Sequence, residues 1–324
     1  MTATGARSPA ADPPPELVAR FKATLARLWP EGGKLGLAVS GGPDSLAMLL
    51  LAEAAIPGQF EVATVDHGLR PEAADECAMV AGICAKRGIA CEVLTVSVPP
   101  GNLQSSARGA RYASLYEWAK RQALSAIATA HHADDQAETL LMRLIRGSGL
   151  SGLAGVRERL PLSLRVAVIR PLLSFRRSEL ARVIADGGIT VAHDPSNHDE
   201  RFDRARIRKA LAQADWLDMD ALAASARHLA DAEEAVQHYE QYLLETSAGA
   251  DRDYAHFVPP VSREMQIRLA QWAIEEFGGS ARGSDVAGLV DRLRKGGKGN
   301  VGGVLATVEG EKWVFRPEPP RRTG

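Results

Sequence analysis

Two short stretches carry residue types at spacings that could do chemistry. They are Ser40-Gly41-Gly42-Pro43-Asp44-Ser45 and Ala130-His131-His132-Ala133-Asp134-Asp135-Gln136-Ala137-Glu138-Thr139. In the first, an apolar run from Leu37 to Val39 ends in paired glycines, and a helical run begins at Leu46. Adjacent glycines let the backbone turn sharply and approach a ligand with no Cβ in the way. Pro43 suits a helix's first position, and Asp44 and Ser45 are expected to satisfy other first-turn N–H groups. N–H donors at the positive end of a helix make an anion site. The lysine that marks the Gly-x-x-x-x-Gly-Lys phosphate loop is absent, so this is a different kind of turn. Gly-Gly-Pro alone describes an ordinary strand-to-helix turn. Two hydroxyls and a carboxylate at fixed spacing around it narrow the reading to a site.

In the second stretch a helix is expected to start near Asp134, where carboxylates are favoured in the first turn. Asp135 and Glu138 are three apart and project from one face, whereas Asp134 points elsewhere and is expected only to cap the helix. Hard carboxylate oxygens near a triphosphate suit Mg²⁺, which keeps waters and shares phosphate oxygens. His-His-x-x-Asp with no Cys or third spaced His is not a familiar zinc set.

The elements that must position these residues alternate. Strand-like runs are Leu35–Val39, Val62–Val65, Val93–Val96 and Ala126–Thr129, with helical stretches Asp44–Ala55, Glu72–Arg87 and Ser105–Gln122 between them. Such alternation argues for βαβ units and a parallel sheet flanked by helices, a Rossmann-like α/β class. Ligands of such sheets sit outside the carboxyl ends of the strands. Three of those ends carry capable residues: Ser40-Gly41-Gly42, Asp66-His67 and His131-His132. Three on one rim make a site.

Farther on, four glycines between Gly147 and Gly155 exclude a stable helix and predict a mobile loop beside the rim. A strand over Val166–Ile169, a helix over Arg177–Ala185, a turn at His193-Asp194-Pro195-Ser196-Asn197 and a helix over Phe202–Leu211 follow. The stretch from Asp199 to Lys209 holds Arg201, Arg204, Arg206, Arg208 and Lys209, a basic cluster in a chain of net charge −1. From about Trp216 the pattern turns helical. Leu222, Leu229, Val236 and Leu243 predict one long amphipathic helix, and Ser262–Phe277 and Ser284–Lys295 two more. A terminal hairpin is expected over Val301–Phe315. The domains are therefore a disordered tail over 1–15, a catalytic domain over 16–215 and a smaller, mostly helical domain over 216–324.

Composition sets the frame. With 324 residues and 45% hydrophobic content the chain can bury a substantial core. No run approaches the roughly 20 apolar residues of a membrane span. Cys77, Cys84 and Cys91 are odd in number, which disfavours a disulfide framework, a zinc site or an iron–sulfur cluster and fits a reducing cytoplasm.

Taken together, six pieces resemble the bacterial tRNA(Ile)-lysidine synthetases of the pyrophosphate-loop (N-type) ATP pyrophosphatase superfamily. They are Ser40–Ser45, Asp66–Arg70, Ala107–Tyr112, His131–Thr139, Arg146–Leu153, and His193–Asn197 through Arg204–Arg208, in the family's order. The resemblance implies an adenine nucleotide alpha hydrolase-like fold and two steps on the wobble cytidine of tRNA(Ile) with anticodon CAU. ATP adenylates the cytosine at its C2 oxygen, releasing pyrophosphate; the amine of free L-lysine then attacks C2 and expels AMP. By this analogy Ser40, Gly41, Gly42, Pro43, Asp44, Ser45, Asp66 and His67 hold the nucleotide, and Asp44 and Asp135 the Mg²⁺. His131, Asp135, Glu138 and Arg111 are the catalytic candidates, Arg111 steadying the α-phosphate, while Arg143, Arg146, Arg206 and Arg208 contact tRNA phosphates. The analogy allows a homodimer and leaves residues 216–324 a reduced tRNA-contacting role. Rival readings are a tRNA 2-thiolating enzyme, which needs cysteine chemistry at the site, a small-molecule amide ligase, and a non-enzymatic nucleotide-dependent tRNA binder.

Overall fold

The computed structural model describes residues 11–68, 72–96, 103–191 and 203–318. The chain divides into two compact units, Met1–Ala230 and Asp231–Gly324. A six-stranded sheet frames the first. Its strands are β1 (Leu35–Ala38), β2 (Phe60–Asp66), β3 (Cys91–Thr95), β4 (Ala126–Ala128), β5 (Arg159–Pro161) and β6 (Ala167–Ile169). Their order is β3-β2-β1-β4-β6-β5. Leu37 of β1 lies opposite Val62 of β2 and Ala128 of β4, both in parallel register. β3 and β6 are parallel to their neighbours, and β5 at the edge runs antiparallel. The parallel core matches the alternation of apolar runs. β5 has three exposed residues and leaves no apolar pattern to read.

Around the sheet lie α1 (Pro15–Leu28), α2 (Pro43–Ala55), α3 (Glu72–Lys86), α4 (Leu103–Arg121), α5 (Ala133–Ile145), α6 (Leu150–Leu153), α7 (Arg177–Gly187) and α8 (Asp203–Gln213). Helix α2 is buried nearly all round because α1 and α7 pack on it. A Cβ on Gly187 would stand 2.5 Å from Leu50 Cδ1, so a larger residue there would force the Leu50 side chain to move. Fully burying one large apolar side chain contributes about 1.5–3 kcal/mol. Phe21, Trp118 and Phe175 are all completely buried, which gives the rim a stiff base. β1 is bordered by β2 on one side and β4 on the other, so the segments that leave β1 and β4 diverge and open a crevice at their carboxyl ends.

Of the tail expected over 1–15, residues 1–10 lie outside the described residues, while Ala11 N–H donates to Asp186 O at 2.9 Å and Pro15 opens α1. The glycine-rich stretch is not all loop, for α6 forms one helical turn within it. The Gln136 side chain also brackets Val156, donating to its carbonyl and accepting from its N–H at 2.7 Å each. Arg70, the His193–Asn197 turn and the start of the basic stretch through Phe202 lie outside the described residues.

Helix α9 (Met219–Ser247) is the long amphipathic helix expected from the heptad spacing. The second unit adds α10 (Arg263–Glu275), α11 (Gly283–Leu293) and a five-stranded antiparallel sheet of β7 (Ala248–Ala250), β8 (Ala255–Phe257), β9 (Gly299–Val301), β10 (Val304–Glu309) and β11 (Lys312–Pro317). The strand order is β7-β8-β11-β10-β9. The expected hairpin is β10–β11, closed at Glu309 opposite Lys312 with Gly310 at φ +62°. Three further strands of three residues each join it, too short to show an alternation. Among the described residues, no helix is long and apolar enough to cross a membrane.

Candidate active site

The turn after β1 is wound tightly. Gly41 has φ +81°, a left-handed conformation that favours glycine, and a Cβ there would press on Met79 Cε at 3.0 Å. Gly42 then caps α2 with no side-chain hydrogen bond to the first turn. The expectation that Asp44 and Ser45 would satisfy those N–H groups is corrected here. Ser45 Oγ turns back instead, accepting from Ser40 N at 3.1 Å and donating to Gly42 O at 2.9 Å. Ser40 Oγ lies 3.3 Å from it. The hydroxyls therefore brace the loop, and the start of α2 presents its donors and its positive dipole end to a ligand.

The segment between β4 and α5 carries the two histidines, and the structure gives them different jobs. His132 is the N-cap of α5. Its Nδ1 accepts from Asp135 N at 3.3 Å while the Asp135 carboxylate accepts from His132 N at 3.1 Å. The helix thus starts at Ala133, and Asp135 rather than Asp134 completes the capping box. Because Nδ1 accepts, the imidazole proton is assigned to Nε2. That atom is buried, has no hydrogen-bond partner, and faces Asp44 Oδ2 at 3.5 Å and Asp135 Oδ2 at 3.6 Å. Burial opposes a charge on this ring, but the nearby Asp44 carboxylate and the charge of Asp135 outweigh it and raise the pKa. Carboxylates from the first turns of α2 and α5, the helices that follow two adjacent strands, therefore converge on one point. His131, by contrast, has Nδ1 3.1 Å from Thr129 Oγ1. Burial first, then the field of Arg170 with smaller parts from Arg108 and Arg111, lowers its pKa to about 4 against an opposing pull from Asp135. It is a neutral imidazole at pH 7.

Asp134 caps a different helix from the one expected. Its Oδ2 accepts from Arg177 N at 2.8 Å at the start of α7, and Arg176 Nη2 lies 3.3 Å from Oδ1. Burial would raise its pKa, but Arg176 and the Arg177 N–H hold the carboxyl below the ordinary range. Glu138 is almost wholly enclosed, with Arg208 Nε at 2.8 Å, Arg177 Nη2 at 3.2 Å and Arg204 Nε at 3.4 Å. It pins α8 and α7 to α5.

The other expected residues are distributed as follows. Asp66 ends β2 and accepts from Gly68 N at 2.9 Å, a local turn that fixes its carboxylate at the rim beside His67. Arg111 sits on α4 with its guanidinium 5.5 Å from the Tyr112 ring. Arg143 is exposed in the last turn of α5. Arg146 and Arg206 line a groove with Met142, Ile145 and Ile207 between α5 and α8. Arg208 turns inward to Glu138, so it does not join them. Arg170 and Tyr112 were not singled out from sequence, yet they stand at the same rim beside His131. The available signal was a single charge, Arg170, in the apolar run Val166–Leu173.

Among the described residues, no group of three His, Cys, Asp or Glu side chains is arranged to hold a metal by itself. The acidic pair Asp44 and Asp135 fits a Mg²⁺ whose remaining ligands are phosphate oxygens and water.

A family model described as a PP-loop domain matches residues 15–215. The chain is 44% identical over 310 residues to the tRNA(Ile)-lysidine synthase of Novosphingobium aromaticivorans, covering 94% of each sequence. It is 39% identical over 305 residues to that of Zymomonas mobilis, covering 90% of this chain and 91% of the relative. Among solved structures it resembles the U34-tRNA thiolase NcsA from Methanococcus maripaludis, with a TM-score of 0.54 and 17% identity, over 69% of this chain and 80% of that one. The last likeness speaks to fold alone.

Proposed function

This chain belongs to the tRNA(Ile)-lysidine synthases of the PP-loop family, and from that premise we propose how its own residues carry the reaction. It is an enzyme that uses ATP to form lysidine on tRNA(Ile). We read the acceptor as the wobble cytidine of the CAU anticodon and the amine donor as free L-lysine, in the cytoplasm. The observation that carries the assignment of roles is the convergence of Asp44 and Asp135 on His132 Nε2.

The Ser40–Ser45 turn and the start of α2 cradle the pyrophosphate that leaves in the first step, supplying fixed dipoles where charge develops. A Mg²⁺ on Asp44 and Asp135 would offset the negative charge of the phosphates. His132 holds Asp135 in its rotamer through the capping box and presents Nε2–H between the two carboxylates. In the second step the lysine ammonium must release a proton to water before its amine attacks C2, which at pH 7 costs about 4–5 kcal/mol from a free pKa of ~10.4. The Glu138 carboxylate is engaged by guanidiniums from three arginines. Its part is to hold Arg208 and Arg177 at the rim, and Asp135 is left to orient the ammonium. His131, neutral beside Thr129, offers a hydrogen bond without adding charge next to the departing AMP. Arg146 and Arg206 contact the tRNA backbone from their groove.

The deciding experiment measures lysine-dependent AMP formation from ATP with tRNA(Ile) bearing CAU and with tRNA(Met) sharing that anticodon. Turnover is expected with the first alone. AMP release without lysine, or equal use of both tRNAs, would overturn this reading of donor and acceptor.

A further inference from the structure

Thr129 stands between the end of β4 and the two histidines. It is 7% exposed, and its N–H donates to Ile169 O at 3.0 Å, so the backbone here is still held by the sheet. Two heavy atoms on its Cβ restrict χ1, which fixes the hydroxyl as well. Among the described residues, the hydroxyl has one hydrogen-bond partner, His131 Nδ1 at 3.1 Å.

That pairing decides which ring nitrogen of His131 carries the proton. The ring is neutral at pH 7, because burial and then the field of Arg170 oppose a charge on it. A neutral imidazole has one N–H and one lone pair, so the bond to Thr129 has two possible directions. With the proton on Nδ1, the ring donates and the Thr129 hydroxyl proton is left without an acceptor in a buried place. With the proton on Nε2, the hydroxyl donates to Nδ1 and both groups are satisfied. A buried donor left unpaired is costly, so the second arrangement prevails. The same device recurs one residue on, where Asp135 N donates to His132 Nδ1. His131 is half-buried, which leaves its other nitrogen able to meet a substrate.

An Nε2 that already holds a proton cannot take another without charging the ring, which its surroundings oppose. It can donate to an oxygen. When C2 of the cytosine gives up AMP, the departing oxygen keeps the bonding electrons, and a neutral N–H there stabilises the new charge with no proton transferred.

We propose that Thr129 is a positioning residue that holds the His131 proton on Nε2, and that His131 donates a hydrogen bond to the oxygen leaving C2 instead of acting as a base. The identity of that oxygen rests on the lysidine-forming reading; the placement of the proton does not.

The test uses the full chain with isotope-labelled histidine, whose long-range proton–nitrogen correlation spectra report the tautomer of each ring. His131→Gln identifies the His131 signals by their loss. The wild type should carry the proton on Nε2. Thr129→Val keeps the shape without the hydroxyl and should shift His131 to a mixture of tautomers or to the Nδ1–H form. In the same variant kcat for lysine-dependent AMP formation should fall about tenfold, with the KM for ATP and for lysine within about twofold of wild type. Thr129→Ser should restore the tautomer and most of kcat. A proton on Nδ1 in the wild type overturns the proposal, as does an unchanged kcat or an unchanged tautomer in Thr129→Val. Thr129→Ala takes its place should that variant fail to fold. If the wild type forms no lysidine at all, the reaction assignment fails, and the spectra still decide where the proton sits.

Discussion

Glu138→Gln separates an anchoring carboxylate from a chemical one. In the wild type the Glu138 side chain is 2% exposed and engages Arg208, Arg177 and Arg204 from two other helices. Gln keeps the shape and one acceptor oxygen but removes the charge. Breaking a buried ion pair by removing one partner costs about 3–5 kcal/mol. The lower end applies here, because Arg204 is nearly half exposed and can turn to water. The cost falls on the seating of α8, which packs against α5 and is tied to it through this residue by Arg204 and Arg208. A loss of about 3 kcal/mol corresponds to roughly a hundredfold more frequent local opening. Native-state hydrogen exchange of the amides in 203–213 reads this directly. They should exchange about a hundred times faster in the variant, while amides of β1 and β4 change little. AMP formation should fall through a weakened hold on tRNA, with ATP affinity preserved. Unchanged protection of α8 alongside lost turnover would refute the reasoning and return Glu138 to the reacting centre.

Asp135→Asn should abolish pyrophosphate release while leaving tRNA affinity within a few fold, as filter binding and pyrophosphate detection would show; normal turnover would remove Asp135 from the mechanism. Arg206→Ala should weaken tRNA binding and lower its salt slope by about one unit, and an unaltered slope would make its groove a bystander. His131 links stability to pH. Its folded pKa of about 4 lies below the free value of 6.5, so the unfolded chain takes up the proton first as the solution is acidified. The contribution, about 3 kcal/mol, is complete above pH 6.5 and lost as the pH falls through 4. Urea midpoints for His131→Asn should therefore fall less steeply than wild type between pH 6.5 and 4, and parallel curves would contradict this account.

Much of this molecule was determined by spacing along the chain. The β1 turn is legible because Gly41 and Gly42 sit between an apolar run and a helix start, and backbone conformation is a local property. The parallel sheet follows from the alternation of strand-like and helical runs, and the rim from where those strands end. The C-terminal sheet was only half legible, since β7, β8 and β9 are too short to show a period and gain their stability from pairing with β10 and β11. Partnerships among side chains were decided by the tertiary structure alone. Nothing in the order of residues says that Asp134 would cap α7, that Ser45 would turn back on its own loop, or that Arg208 would close on Glu138, 70 positions away. Nor does it say that Tyr112 and Arg170 would meet. A charge's energy depends on what surrounds it at a few ångströms, and that surrounding is assembled from segments far apart in sequence.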